Sequence, residues 1–136
     1  MKIIFLIMLG LSLMHAEFLR ENSVVLDTQT KLMWQDDAVG AAATWEVGVQ
    51  RCEELTLASY DDWRLPTINE LRSIINRTKT YPSIVDGFIY TDISYWSSTI
   101  YVNWKDYAWY AAFNKNKVGG LQKSTQIHVR CVRAGE

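Results

Sequence analysis

The chain has 136 residues, with 14 lysines and arginines against 15 aspartates and glutamates, so its formal net charge is −1. This length suits a single domain. The near-neutral charge argues against general nucleic-acid binding, which needs a basic surface. Function therefore depends on particular side chains rather than on overall charge.

Residues 1–16 have the layout of a secretory signal peptide. Lys2 gives the positive start, an apolar run extends from Ile3 to Met14, and Ala16 is a small residue at the expected cleavage point. The run is shorter than the ~20 apolar residues that span a bilayer. We therefore expect an exported protein, periplasmic or extracellular, whose single domain occupies residues 17–136 and has no integral membrane segment.

The chain has two cysteines, Cys52 and Cys131. In an exported protein an even count indicates a disulfide, and the alternative is two separate buried thiols. These cysteines and His128, the one histidine beyond the signal segment, are too few for a tetrahedral zinc site. We expect no metal ion and no other cofactor.

The first half of the domain predicts two strands and a helix. Residues 23–35, SVVLDTQTKLMWQ, favour two short strands around a polar turn at Asp27–Lys31. Residues 44–55 favour a helix with Thr44 as its N-cap. Three side chains of this helix share one face at positions i, i+4 and i+7, which are Trp45, Val49 and Cys52. That face should carry the cysteine inward.

A second helix is predicted at residues 67–76. Thr67 and Glu70 have the T-x-x-E spacing of a capping box. Pro66 precedes the cap and cannot continue an earlier helix. The apolar spacing of the residues that follow is helical.

The stretch DDWRLPT leads into this helix and has two interpretations, an active site and a structural corner. Trp63 and Leu65 should share the inner side of an extended segment, with Arg64 on the outer side. A carboxylate would hold the arginine there, and the candidates are Asp61, Asp62 and Glu70. We interpret the stretch as a structural corner.

The last third of the chain predicts strands at 93–99, 106–113 and 125–133, with a turn at Gly119–Gly120. One face of the second strand carries Tyr107, Trp109, Ala111 and Phe113. In the last strand Ile127, Val129 and Cys131 should face the core, and His128 and Arg130 the other side. Two helices on an irregular antiparallel sheet with long loops form an α+β domain.

The order of these segments resembles a known family. LDTQTKLMWQDD, TWEVGVQRCEEL, YDDWRLPTINELRSI, YWSST, YAWYAAF and HVRCVR follow one another over residues 24–133 as in the Lcl C-terminal domain family. That domain ends collagen-like adhesins and occurs in many small exported bacterial proteins. The resemblance implies a C-type-lectin-like fold, whose long disulfide between first helix and last strand is matched by Cys52 and Cys131. The adhesin members imply binding to host or matrix glycans.

We expect no enzymatic activity. Ser97, Ser98 and Thr99 would need a neighbouring base, and His128 is the one candidate. No G-x-S-x-G elbow surrounds these hydroxyls. We interpret them as sheet side chains that bond to the backbone.

Calcium-dependent sugar binding is not expected either, although the sequence does not tell whether an acidic loop binds calcium. The aspartates at Asp36–Asp37, Asp61–Asp62, Asp86, Asp92 and Asp106 supply oxygen ligands but form no EF-hand loop. The Glu-Pro-Asn, Gln-Pro-Asp and Trp-Asn-Asp triplets of sugar-binding lectins are absent. The paired aspartates are interpreted as solvated turns.

A candidate binding loop lies between the first two strands of the last third. Tyr101, Asn103, Trp104 and Lys105 combine two aromatic rings, an amide and a positive charge, and Lys115 and Lys117 add charge further along. Aromatic faces stack on ligand rings, and lysines attract sulfate or carboxylate groups. Tyr107, Trp109 and Phe113 are instead interpreted as core.

Two hypotheses for function follow. The first is an exported, adhesin-like binding module that recognises a glycan or protein through this loop. The second is a structural or assembly subunit of an envelope complex, whose loop aromatics bury against a copy of itself or against another protein. The sequence does not name the ligand or the oligomeric state.

Overall fold

A computed structural model describes residues 17–135 apart from positions 39, 80, 92 and 93. The predicted signal peptide and the candidate calcium ligand Asp92 lie outside the described residues.

Within the described residues, seven strands and two helices follow one another along the chain. They are β1 Phe18–Glu21, β2 Val24–Asp27, β3 Leu32–Gln35, α1 Trp45–Glu53, α2 Ile68–Ser73, β4 Ser94–Ile100, β5 Tyr107–Ala112, β6 Lys117–Gln122 and β7 Val132–Ala134. The α+β class is therefore confirmed.

The strands form two antiparallel sheets rather than the one irregular sheet that was predicted. The first has the order β1-β2-β3-β7 and the second the order β4-β5-β6. The division arises because β7 pairs with β3, with Leu32 opposite Ala134, and not with β6. The last strand of the chain therefore pairs with a strand from its first third.

Two apolar clusters form the core, and the second sheet is buried between them. Ala111 and Phe113 of one face contribute to the first cluster, together with Leu71 and Ile74 from α2 and its C-terminal end. Ala108 on the other face belongs to the second cluster. Alternate side chains of β5 therefore pack into different clusters on the two faces of the second sheet.

Helix α1 carries the disulfide. Cys52 is fully buried and is bonded to Cys131, with the two Cα atoms 5.5 Å apart. The bond predicted from the cysteine count is therefore confirmed. Thr44 occupies the N-cap, but its side chain makes no capping hydrogen bond, which corrects the sequence expectation. The N–H of Trp45 donates instead to the carbonyl of Lys123.

Helix α2 has the predicted capping box but is shorter than predicted. The Thr67 hydroxyl accepts from the N–H of Glu70, and the Glu70 carboxylate accepts from the N–H of Thr67. The helix ends at Ser73 because Ile74 leaves helical geometry and Ile75 pairs with Ile84.

The DDWRLPT stretch is the structural corner that the sequence predicted. Trp63 and Leu65 are 2% and 3% exposed, and the Trp63 Nε1–H donates to the carbonyls of Leu57 and Tyr60. Backbone hydrogen bonds in both directions join Arg64 to Val132 of β7. The corner therefore joins α2 to the first sheet.

Arg64 points outward and binds Glu70, with nitrogen–oxygen distances of 2.7 and 2.9 Å. Partial burial raises the pKa of the Glu70 carboxyl, but hydrogen bonds from Arg64 and from the Thr67 N–H outweigh it, so that pKa lies below its ordinary value. The same pair raises the pKa of Arg64.

Three expectations for polar and turn residues are wrong. Asp36 is 1% exposed rather than solvated, because it accepts hydrogen bonds from Arg20, Arg130 and two backbone N–H groups. Arg130 is buried with it, and residues 125–131 form no continuous strand. Gly119 and Gly120 lie within β6, and the chain turns instead at 113–116.

Candidate ligand-binding site

The predicted binding loop connects β4 to β5 and has a fixed backbone. The N–H of Tyr101 donates to the carbonyl of Tyr107, that of Tyr107 to Trp104, and that of Trp104 to Tyr101, at 3.0, 2.9 and 3.2 Å. Each of these hydrogen bonds joins two aromatic residues. The loop backbone therefore fixes where their rings emerge.

The rings form one group of mutual contacts, which we call the aromatic platform and which consists of Tyr101, Trp104, Tyr107 and Trp109. The Tyr101 and Trp104 rings are nearly parallel, at 8°, with centroids 5.7 Å apart. Trp109 lies 4.8 Å from Tyr101 and Tyr107 lies 5.4 Å from Trp104. Offset contacts at these distances are the favourable arrangement for aromatic pairs.

Gly120 makes room for the platform. It lies opposite Trp109 in β6, and a Cβ atom there would be 2.5 Å from two carbons of the Tyr101 ring. Only glycine lets the ring lie directly over the strand. The sequence prediction assigned the glycine pair to a turn, whereas Gly120 lies within β6 and leaves space for the Tyr101 ring.

Trp104 is the exposed member of the platform, with 60% of its surface accessible, and the neighbouring Val102 is 87% accessible. Tyr101, Tyr107 and Trp109 are half-buried. The parallel stack holds the exposed indole in one orientation, so its outer face is available to a ligand without further ordering.

The core interpretation of Tyr107 and Trp109 is wrong in one respect. Both share a face of β5 with the buried Ala111 and Phe113, as predicted. Helix α2 covers the Ala111 half of that face, and its last turn reaches Trp109 through Arg72, whose guanidinium carbon is 5.9 Å from the ring centroid. The other half of the face, which carries Tyr107 and Trp109, forms part of the aromatic platform.

The structure brings together four of the six predicted site residues. Asn103 and Lys105 are exposed in the loop beside Tyr101 and Trp104. Lys115 and Lys117 are exposed at the opposite end of the β5–β6 hairpin, because Lys117 pairs with Ala112. Ala112, at that end, is five positions along β5 from Tyr107, a distance of about 17 Å.

The hydroxyls of YWSST bond to the backbone, as predicted for Ser97 and Thr99. The Ser97 hydroxyl donates to the carbonyl of Trp109 at 2.7 Å and accepts from the N–H of Thr99. The Thr99 hydroxyl accepts from the N–H of Ile68 at the start of α2. These bonds join β4 to the start of α2 and to Trp109 of β5, which belongs to the platform.

In the described part of the chain, no three histidine, cysteine, aspartate or glutamate side chains group closely enough to hold a metal ion. Of the remaining candidate aspartates, Asp62 binds Arg133 and Asp86 binds Lys79, whereas Asp61 and Asp106 are exposed. No helix among these residues is both long and apolar enough to cross a membrane.

Two antiparallel sheets, a disulfide from the first helix to the residue before the last strand, and an ordered aromatic loop define a small disulfide-bonded α+β domain. The family model for the Lcl C-terminal domain matches residues 23–133, so the chain belongs to that family. This match confirms the resemblance in the sequence motifs. No curated protein matches the chain.

Proposed function

We propose that the protein is an exported, non-catalytic binding module that holds a glycan on the aromatic platform. The observation that carries this proposal is the exposure of Trp104, 60% accessible yet stacked in parallel on Tyr101. An exposed indole that its neighbours hold in one orientation leaves apolar surface in contact with water, which is unfavourable unless a ligand covers it.

The chemistry of the loop suits a sugar. The apolar face of a sugar ring packs on an aromatic face, and its hydroxyls need donors and acceptors at the edge. Asn103 and Lys105 flank Trp104 and supply an amide and an ammonium group. Because the stack already orders the indole, binding loses less side-chain entropy than it would with a free tryptophan.

An anionic sugar fits best, because the two cations near the platform, Arg72 over Trp109 and Lys105 beside Trp104, outnumber Asp106, the one acidic residue of the loop. Exposed charge contacts are screened over about 8–10 Å at 0.1–0.15 M salt, so affinity should fall as salt rises. Lys115 and Lys117 would meet only a glycan that continues about 17 Å along the hairpin.

We further propose that the domain has a C-type-lectin-like fold and is exported. The disulfide between α1 and the residue before β7 supports the first part, since that fold carries a bridge between its first helix and its last strand. The disulfide also supports export, since such bonds persist in oxidising compartments. The backbone-bonded hydroxyls of Ser97 and Thr99 favour a non-catalytic module.

An assembly subunit is the second candidate. The observation that favours it is the pairing of Val102, 87% accessible, with Trp104, because a protein interface would also bury such a pair. Under this alternative, the loop packs against a second copy or another envelope protein.

A glycan array combined with light scattering on residues 17–136 tests the proposal. A glycan-binding module should retain a defined set of glycans while it stays monomeric. A stable oligomer that retains no glycan would instead favour the assembly subunit and overturn the glycan proposal.

A further inference from the structure

A second candidate site lies on the first sheet, away from the aromatic platform. It is a cavity of about 270 Å³ whose lining includes Glu21, Val24, Met33, Leu57 and Tyr60, and we call it the Leu57 pocket. This volume is close to the lower end of small-molecule sites, about 300 Å³. It is large enough to take one bulky apolar side chain.

The rim of the Leu57 pocket is a two-residue turn in an unfavourable conformation. Leu57 and Tyr60 exchange backbone hydrogen bonds at 3.0 and 2.9 Å, and Ala58 and Ser59 between them have φ values of 54° and 69°. Both residues are therefore in the left-handed region, where such turns normally use asparagine and glycine. Side chains with a Cβ atom are strained there.

Buried groups hold this exposed turn in place. The Trp63 Nε1–H donates to the carbonyls of both Leu57 and Tyr60. The Arg133 guanidinium lies 3.6 Å from the centre of the Tyr60 ring and is itself held by Asp62 at 2.6 and 3.1 Å. Backbone strain that the surrounding structure enforces is concentrated at functional sites.

The surface that leads into the pocket is apolar. The strand register places Leu19, Leu26 and Met33 directly opposite one another on one face of β1, β2 and β3. Leu19 is 52% accessible, and Met33 lines the pocket. An extended segment that crossed this row would therefore reach the pocket with apolar contacts along the way.

Two exposed carboxylates lie at or near the rim of the pocket. Glu21 is exposed and has no ion-pair partner in the part of the chain that the structure describes. Asp61, exposed beside Tyr60, also lacks one among those residues.

We propose that the Leu57 pocket binds an extended segment of a partner protein that carries an apolar side chain next to a lysine or arginine. The apolar side chain enters the pocket, and the cation meets Glu21. This site lies on a different sheet from the aromatic platform, so it stands or falls independently of glycan binding.

Blocked five-residue peptides test the proposal by NMR on residues 17–136 with the disulfide intact. The probes are Gly-Ser-Leu-Lys-Ser, the same peptide with Glu in place of Lys, and the same peptide with Ser in place of Leu. At millimolar concentration the Leu-Lys peptide should shift the amide signals of Asn22 and of residues 57–60. The other two peptides should shift them much less.

Glu21→Gln should weaken binding of the Leu-Lys peptide about two- to fivefold, as expected for loss of one exposed charge contact. Glu21→Lys should reverse the preference toward the Leu-Glu peptide. Glu53→Gln, at an exposed position on α1, is the matched control and should change nothing.

Three results would overturn the proposal. The first is no shift at these amides, and the second is equal shifts with all three peptides. The third is a shift on dilution without any peptide, which would mean that a second copy of the chain covers this face.

Discussion

Arg130 and Asp36 form an ion pair in the interior of the domain, with Nη1 and Oδ1 3.0 Å apart. The two side chains are 3% and 0% exposed. Asp36 also accepts hydrogen bonds from the N–H groups of Ile89 and Tyr90, at 2.7 and 3.0 Å. The pair therefore fixes three distant segments of the chain to one point beside β3.

Asp36→Ala should destabilise the domain by about 3–5 kcal/mol, because it leaves the buried Arg130 without its counter-charge. Asp37→Ala is the matched control. Asp37 is half-buried and accepts one side-chain hydrogen bond, from Gln35, so its loss should cost about 1 kcal/mol. Urea unfolding of both variants measures the difference, and equal losses would contradict the assigned role of Asp36.

Trp63→Ala should cost about 3–5 kcal/mol, because the indole is buried and also holds the Leu57–Tyr60 turn. Arg64→Ala should cost only about 1 kcal/mol, since its ion pair with Glu70 is partly exposed. Thermal unfolding of the two variants measures which substitution destabilises the domain more. Variants that melt like the parent but lose ligand binding would make the corner a binding site.

Glu70→Gln should reduce the dependence of stability on pH. The pKa of Glu70 in the folded state lies below its ordinary value of 4.5, so the carboxylate contributes stability at neutral pH. That contribution is lost as the pH falls below about 4.5 through the folded-state pKa. The variant should be less stable than the parent by about 1 kcal/mol at neutral pH.

Urea midpoints of parent and Glu70→Gln, measured from about pH 6 to about pH 3, should converge as the pH falls. A constant difference across this range would show that Glu70 acts through its shape and not through its charge.

Gly120→Ala should displace the Tyr101 ring, because the added methyl group would lie 2.5 Å from two ring carbons. We expect a loss of about 1–3 kcal/mol and a change in the near-ultraviolet circular dichroism of the aromatic platform. Gly40→Ala is the control, because its new Cβ would meet its nearest neighbour at 3.4 Å. An unchanged aromatic signal in Gly120→Ala would mean that the platform does not depend on this contact.

Local patterns predicted the parts of the fold that local interactions determine. The capping box of Thr67 and Glu70 and the inward side of Trp63 follow from spacing over a few residues. The burial of Asp36 by Arg130 does not, because the partners are 94 residues apart. Gly120 was assigned to a turn for the same reason, since the Tyr101 ring that needs a glycine there comes from another segment.

The binding loop was predicted from its composition, since two aromatic rings beside an amide and a lysine stand out in a short turn. Tyr107 and Trp109 were assigned to the core because they share a face with Phe113. How much of that face is covered depends on where α2 ends. Sequence spacing predicted an end at residue 76, whereas the helix ends three residues earlier, at Ser73. The sequence signal that could have added Tyr107 and Trp109 to the predicted site is the glycine pair of β6, because Gly120 lies opposite Trp109.

The most direct test of the central claim is glycan-array binding by the parent, Trp104→Ala and Val102→Ala, with the melting temperature of each. Trp104→Ala should lose about tenfold or more in affinity, as expected for truncation of a central aromatic contact, and should melt close to the parent. Val102→Ala removes a more exposed apolar side chain outside the stack and should bind normally. Parent-like glycan binding by Trp104→Ala would contradict the account.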